Sequence, residues 1–178
     1  MRALVYTGPE QLEMRDAPMP KAADDEVLIK IEACGICGSD MHAYLGHDAR
    51  RPAPLILGHE GAGIIQGGPR DGERVTINPL VTRGDDEYIT TGRENLCPTR
   101  EIISMPPREG AFAEYIKMPT ENLVTVPDDV SLTKAALAEP LAVSWHAAKL
   151  GLGNFMMALI APFLSLAAGL LVPVQHCV

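Results

Sequence analysis

The sequence predicts a β-rich α+β fold whose strands form a closed or partly closed structure with peripheral helices. Three observations carry this reading. Up to about residue 130 the apolar residues fall in short alternating runs bounded by Gly, Pro and Asp. Helical patterning begins only after Ser131. Aromatic residues make up 4% of the chain against 47% hydrophobic, so the core has to be aliphatic.

Taken in order, Glu26–Ala33 alternates most clearly, with Val27, Ile29, Ile31 and Ala33 on one face and Lys30 and Glu32 on the other. Ala62–Ile65, Arg74–Ile77, Ala111–Lys117 and Leu123–Val126 read as further strands. Many short strands of this kind suit closure, which removes open edges. Ser131 is an N-cap candidate for the first helix. Pro140 then predicts a break near Glu139 and a second helix from Pro140 to about Lys149. After Lys149 the composition changes: residues 151–178 contain no Asp, Glu, Lys or Arg, and Met156–Val174 is apolar apart from Ser165.

With 178 residues, the chain suits one domain, or one domain and a fragment of another. Its net charge of −8 and the lack of a Lys/Arg run argue against a nucleic-acid binder. The N-terminal apolar run is too short for a secretory signal. Four Cys without such a signal do not suggest a disulfide scaffold, and the expected compartment is a reducing cytoplasm.

Three segments carry potential chemistry: Cys34-Gly-Ile-Cys-Gly-Ser-Asp-Met-His42, Gly58-His59-Glu60, and Glu139-Pro-Leu-Ala. A zinc site needs thiolate, imidazole or carboxylate donors converging from separate elements. Cys37, His59, Glu60 and Glu139 offer such a set. Each segment alone has a plainer reading. Cys-x-x-Cys also suits a redox pair, half of a structural zinc site, or an inert buried pair. His59 alone suits a satisfied core histidine.

Together the segments resemble the zinc-containing alcohol and polyol dehydrogenases of the medium-chain dehydrogenase/reductase superfamily. The resemblance covers roughly Met1–Gly153. It includes the opening strand Arg2–Tyr6, Gly72-Glu-Arg-Val-Thr-Ile-Asn-Pro79, Gly92-Arg-Glu-Asn-Leu-Cys-Pro98 and Gly110-Ala-Phe-Ala-Glu-Tyr115. Glu139, where liver-type enzymes carry Cys, is more like the sorbitol, threonine and L-idonate dehydrogenase branch. The resemblance implies a GroES-like, partly closed β-barrel as catalytic domain, followed in the family by a Rossmann domain that binds NAD(P).

Carried over by position, Cys37 and His59 match catalytic zinc ligands. Glu60 matches the adjacent Glu that ligates directly or exchanges with water, and Glu139 matches the last or water-mediated ligand. The plainer alternatives for Glu60 and Glu139 are an Arg partner or a helix cap. Ser39 matches the hydroxyl that bonds the substrate oxygen and passes on its proton; the alternative is a local turn hydrogen bond. His42 matches a relay histidine, or else is a surface histidine. Cys34 matches no ligand and reads as a small buried residue. No role is assigned to His47, His146 or His176.

The chain also departs from the family. The four Cys of a structural zinc lobe would fall at Arg83, Asp86, Ile89 and Cys97, and only Cys97 is a cysteine. Arg and Ile do not ligate zinc, so the expectation is one catalytic zinc, no structural zinc, and a lobe Thr82–Gly92 that folds differently or is mobile. The short stretch Gly63–Gly72 suggests a trimmed hairpin. Gly151-Leu-Gly153 is followed by Met156 where a third glycine would stand, and no βαβαβ unit follows, so the Rossmann domain is expected to be absent.

The expected organisation is therefore residues 1–150 as a GroES-like zinc-binding alcohol dehydrogenase catalytic domain and 151–178 as an apolar uncharged tail. The tail reads as an out-of-frame or truncated start of the cofactor domain, ahead of a terminal helix or a membrane span. The expected function is oxidation of a secondary alcohol or sugar alcohol with hydride transfer to NAD(P) in an intact enzyme, with this chain inactive alone. The alternatives are a non-catalytic zinc-binding interaction module and, more distantly, a Cys34–Cys37 dithiol oxidoreductase. The expected partner is a small alcohol or polyol, with no nucleic acid and no membrane. The family leaves room for a homo-oligomer.

Overall fold

The computed structural model describes residues 1–151. The tail reading therefore lies outside the described residues. Ten short strands and a few short helices make up the architecture. β1 (Arg2–Gly8) and β2 (Gln11–Asp16) form an antiparallel hairpin, and β4 (Leu55–Ile56) joins the other edge of β1. β3 (Glu26–Gly35), β5 (Glu60–Gln66), β6 (Arg74–Ile77), β9 (Tyr115–Pro119) and β10 (Leu123–Thr125) form an antiparallel sheet in the order β10-β6-β5-β3-β9. β7 (Leu80–Val81) and β8 (Glu101–Ile102) pair separately. The result is the expected β-rich, curled half-barrel.

The inner face of the large sheet carries the main core. Ile29, Ile65, Val75, Ile77, Ile116 and Met118 are all buried, and Val81 and Ile103 close one end. Burying each such side chain is worth about 1.5–3 kcal/mol. Ile29, Ile65, Val75, Ile77 and Ile116 lie in the strands read from the sequence, whereas Val81, Ile103 and Met118 lie outside them, and no aromatic residue joins this cluster.

The expected face of β3 needs a correction. The register against β5 shifts between Ile31 and Ala33, so Glu32 is an extra residue in the ladder. Beyond this bulge the faces exchange. Cys34 packs against the main core, whereas Ala33 packs with Ala62, Val126 and Ala135 on the other side. The strand runs on to Gly35, which pairs with Glu60. The bulge thus carries the Cys34–Cys37 segment to the start of β5.

Ala111–Lys117 is not one strand. Residues 111–114 cross between the sheets: Ala111 and Phe112 N–H donate to Gly58 and Leu57 C=O, and the Phe112 carbonyl accepts from Leu4 N–H. Bonding to β3 starts at the Glu114 carbonyl, which accepts from Ile31 N–H at 2.9 Å, and continues as a ladder from Tyr115. The extended periodicity is present, but its partners change midway. Leu123–Val126 ends one residue early as a strand, although Val126 N–H still donates to Arg74 C=O at 2.8 Å.

α1 spans Gly38–Tyr44 and α2 spans Glu87–Thr90. α3 (Leu132–Ala135) begins at Ser131, whose side chain accepts from Lys134 N–H. The helix break falls at residues 136–137, not near Glu139, and α4 covers 138–151. Pro140 lies in the first turn of α4, where an N–H has no helical acceptor to lose, so it starts the helix instead of interrupting it. Among the described residues no helix is long and apolar enough to cross a membrane.

The Thr82–Gly92 lobe has its own structure. Asp86 caps α2 by accepting from Ile89 N–H at 3.0 Å, and it also accepts from the Cys97 thiol at 3.0 Å. Cys97 is fully buried and reaches Thr99 Oγ1 at 3.2 Å. Arg83 pairs with Asp25 and lies 3.5 Å from Glu26. Glu26 is buried and also meets Arg108 and Lys117, each at 3.1 Å. Three of the four positions of a metal lobe are thus engaged in hydrogen bonds and ion pairs.

Candidate metal centre

The site forms where the end of β3, the N-terminus of α1 and the start of β5 meet. Cys37 is the N-cap of α1, with extended backbone at φ −86° and ψ 156°. Asp40, three residues on, is buried, and its Oδ2 accepts the Cys37 N–H at 3.0 Å. Its Oδ1 accepts the Gly58 N–H at 3.1 Å and lies 3.5 Å from His59 Nδ1. One carboxylate therefore joins the loop that carries Cys37 to the loop that carries His59 and Glu60.

Gly58 makes this approach possible. Its φ is +90°, and a Cβ there would lie 2.5 Å from the Phe112 ring. The glycine lets the chain turn sharply and deliver His59 and Glu60 inward, where both are buried.

Cys37, His59 and Glu60 each offer one donor atom such that all three lie within 4.8 Å of one another. Sulfur, imidazole nitrogen and carboxylate oxygen are the donors zinc takes in catalytic sites, so the residues present fit the ion. His59 Nδ1, though 3.5 Å from Asp40 Oδ1, is buried without a hydrogen-bond partner, so the imidazole keeps donor capacity for an ion. Burial opposes charge on His59, but Asp40 outweighs it and pushes the imidazole up to about 9. The net effect on Asp40 is the reverse: burial would raise its pKa, but His59 and the backbone donors hold it below the usual carboxylate range.

Glu139 does not join this group of three. It is half-buried near the start of α4. Burial raises its pKa, the charge of His59 offsets this, and the negative charges of Glu60 and Asp40 add to the rise. Its placement follows from α3, which is tied to β6 by Thr76 Oγ1 donating to Ala135 C=O at 3.0 Å. Neither Glu60 nor Glu139 forms an ion pair among the described residues, which removes the Arg-partner alternative there.

Ser39 follows Cys37 in the first turn of α1. Its Oγ is buried and has no hydrogen-bond partner, so the local turn bond is not made. His42 is exposed on the last turn of the same helix. Cys34 is half-buried; burial and the nearby Asp40 push its thiol up to about 12. A thiol so hard to ionise is a poor nucleophile, which weighs against the dithiol reading.

Sequence reasoning missed Asp40. Its signal is an acidic residue at the third helical position after a candidate ligand at the N-cap.

This geometry has known counterparts. The family model for the alcohol dehydrogenase GroES-like domain matches residues 23–128. The chain is 42% identical over 157 residues to a sorbitol dehydrogenase of Bacillus subtilis (strain 168), covering 83% of this chain and 44% of that protein. It is 34% identical over 154 residues to a zinc-type alcohol dehydrogenase-like protein of Haemophilus influenzae, covering 83% and 45%. A short chain alcohol dehydrogenase of Escherichia coli CFT073, solved with NADH, superposes with a TM-score of 0.77 at 31% identity, covering 85% of this chain and 45% of that one. The chain spans a little under half the length of these proteins. A curled antiparallel half-barrel, a Cys–His–Glu cluster at its rim and a family match across most of the strands agree: the chain belongs to the alcohol dehydrogenase GroES-like domain family.

Proposed function

We propose that this chain is the zinc-binding catalytic domain of an NAD(P)-dependent alcohol or polyol dehydrogenase acting on a secondary alcohol or sugar alcohol. The observation that carries the reading is the convergence of Cys37, His59 and Glu60 within 4.8 Å of one another, with the buried, unpartnered Ser39 hydroxyl two residues beyond Cys37 in the chain. Cys37, His59 and Glu60 would hold one zinc, with Glu139 as a last or water-mediated ligand. When bound, the ion supplies Lewis acidity that lowers the pKa of a hydroxyl it holds. The Asp86–Cys97 bond and the Arg83 ion pairs support the view that this is the chain's only zinc.

Alcohol oxidation removes a proton from oxygen and a hydride from carbon. Ser39 Oγ would accept the hydroxyl proton as it releases its own, and exposed His42, one turn along α1, would carry the released proton to solvent. Asp40 holds His59 and the Cys37 loop in place, so the ligand set needs little rearrangement. The hydride goes to a nicotinamide, which has to be held against the carbinol carbon. Among the described residues there is no dinucleotide-binding βαβ unit. Transfer therefore needs a Rossmann domain in the complete enzyme, and residues 1–151 do not turn over by themselves.

The test is a chimera joining residues 1–150 to the cofactor domain of the B. subtilis relative, assayed for NAD(P)+ reduction with a polyol panel. The expected result is zinc-dependent turnover that is lost in Cys37→Ser and falls by orders of magnitude in Ser39→Ala. A folded chimera that binds zinc and NAD(P)H but oxidises no alcohol would contradict this reading and favour a non-catalytic zinc-binding module.

A further inference from the structure

We infer that Gly35 is a positioning residue for the metal centre: only because it lacks a side chain does the Glu60 carboxylate lie beside Cys37 and His59. This inference rests on the metal-site reading. The two residues face each other in the ladder, since Gly35 pairs with Glu60 at the last step between β3 and β5. A Cβ built on Gly35 would sit 2.0 Å from Glu60 Oε2 and 3.2 Å from both Glu60 Cβ and Cδ. The Glu60 side chain thus lies flat across the Gly35 backbone, within reach of the other two donors.

The reason for glycine here is space rather than backbone conformation. Gly35 is absent from the positive-φ residues, so alanine is compatible with its backbone. The nearest atoms to an added methyl all belong to one flexible side chain. Gly63, also in this sheet, is different: a Cβ there would meet the Lys30 backbone at 2.1 Å. Replacing Gly63 damages the fold, whereas replacing Gly35 moves Glu60. Gly38, at the first position of α1, has nothing within 4 Å of an added Cβ and serves as the control.

The bulge at Glu32 explains how such a contact arises. It realigns the end of β3 so that Cys34 and Gly35 face Gly61 and Glu60. A larger residue at position 35 would lift Glu60 from the strand and out of the donor group. The site would then be left with one sulfur and one nitrogen donor, together with whatever Glu139 supplies.

The experiment uses the full 178-residue chain and Co2+ as probe, read by its visible absorption and by competition for affinity. Wild type and Gly38→Ala should bind alike. Gly35→Ala should keep a wild-type circular dichroism spectrum, weaken Co2+ binding by about 10–100-fold and change the visible bands. Glu60→Gln should show the same loss, and the double variant should lose little more than either alone. Unchanged affinity and bands in Gly35→Ala would overturn the inference. So would full additivity, or a Gly35→Ala chain that fails to fold even with Glu60→Ala. Failure of the wild type to bind Co2+ would instead overturn the metal-site reading itself.

Discussion

The donor cluster at Cys37 and the lobe at Arg83–Cys97 answer the same problem in two ways. Each must hold segments that lie largely outside the strand ladders, although Glu60 starts β5. At the first, Cys37, His59 and Glu60 converge as unpaired donors, with Asp40 pulling their two loops together. At the second, Asp86 and Cys97 bond to each other, and Arg83 joins Asp25 and Glu26. The first arrangement leaves donor capacity for a ligand. The second has its polar groups paired with one another. An open site and a closed joint can therefore be told apart by whether the polar atoms have protein partners.

The sharpest way to break this comparison is at Glu26. Its side chain is 2% exposed, and Arg108, with which it pairs, is 9% exposed. Glu26→Ala leaves Arg108 with Glu101 alone and should cost about 3–5 kcal/mol of stability. Thermal unfolding should show this, while zinc affinity in the folded fraction stays at the wild-type value. Next comes Asp40→Asn, which should weaken zinc binding by about 10–100-fold. The same change should lower the His59 pKa from about 9 toward the ordinary range, as read by NMR titration.

The third effect is on pH dependence. His59 without metal is protonated at neutral pH, with a pKa of about 9. Zinc binding must expel that proton and the Cys37 thiol proton, so affinity should rise about tenfold per pH unit for each of the two while it is still bound, with the His59 part ending at about 9. Stability of the metal-free chain runs the other way. Because the folded pKa is raised, the His59 contribution is complete below the unfolded value of about 6.5 and is lost as pH climbs through about 9. The smallest effect belongs to Cys97→Ala, which removes one thiol hydrogen bond and a small buried group. It should cost about 1–2 kcal/mol without changing metal content.

The sequence is most legible where physics is local. Val27, Ile29 and Ile31 alternate because one face of β3 lines the barrel, and the candidate metal donors stand in short contiguous motifs. It is least legible where one residue shifts the register of the strand beyond it. Nothing in Glu32 itself announces a bulge, because the alternation continues unbroken to Ala33. Residues 111–114 read as part of one strand because their extended pattern does not reveal that they change partners. Asp40 escapes a reading of the sequence because its role depends on Gly58 and His59, which approach it only in the folded chain. Pro140 reads as a breaker because α4's true start, two residues earlier, lies in an alanine-rich stretch without a polar cap.

The central claim is that the chain holds one zinc at Cys37, His59 and Glu60 and none in the Arg83–Cys97 lobe. The most direct measurement is zinc per chain by elemental analysis after saturation and gel filtration, on wild type, Cys37→Ser and Cys97→Ser. The account predicts one zinc in wild type and in Cys97→Ser, and none in Cys37→Ser. Two zinc ions in wild type, with one lost in Cys97→Ser, would contradict it.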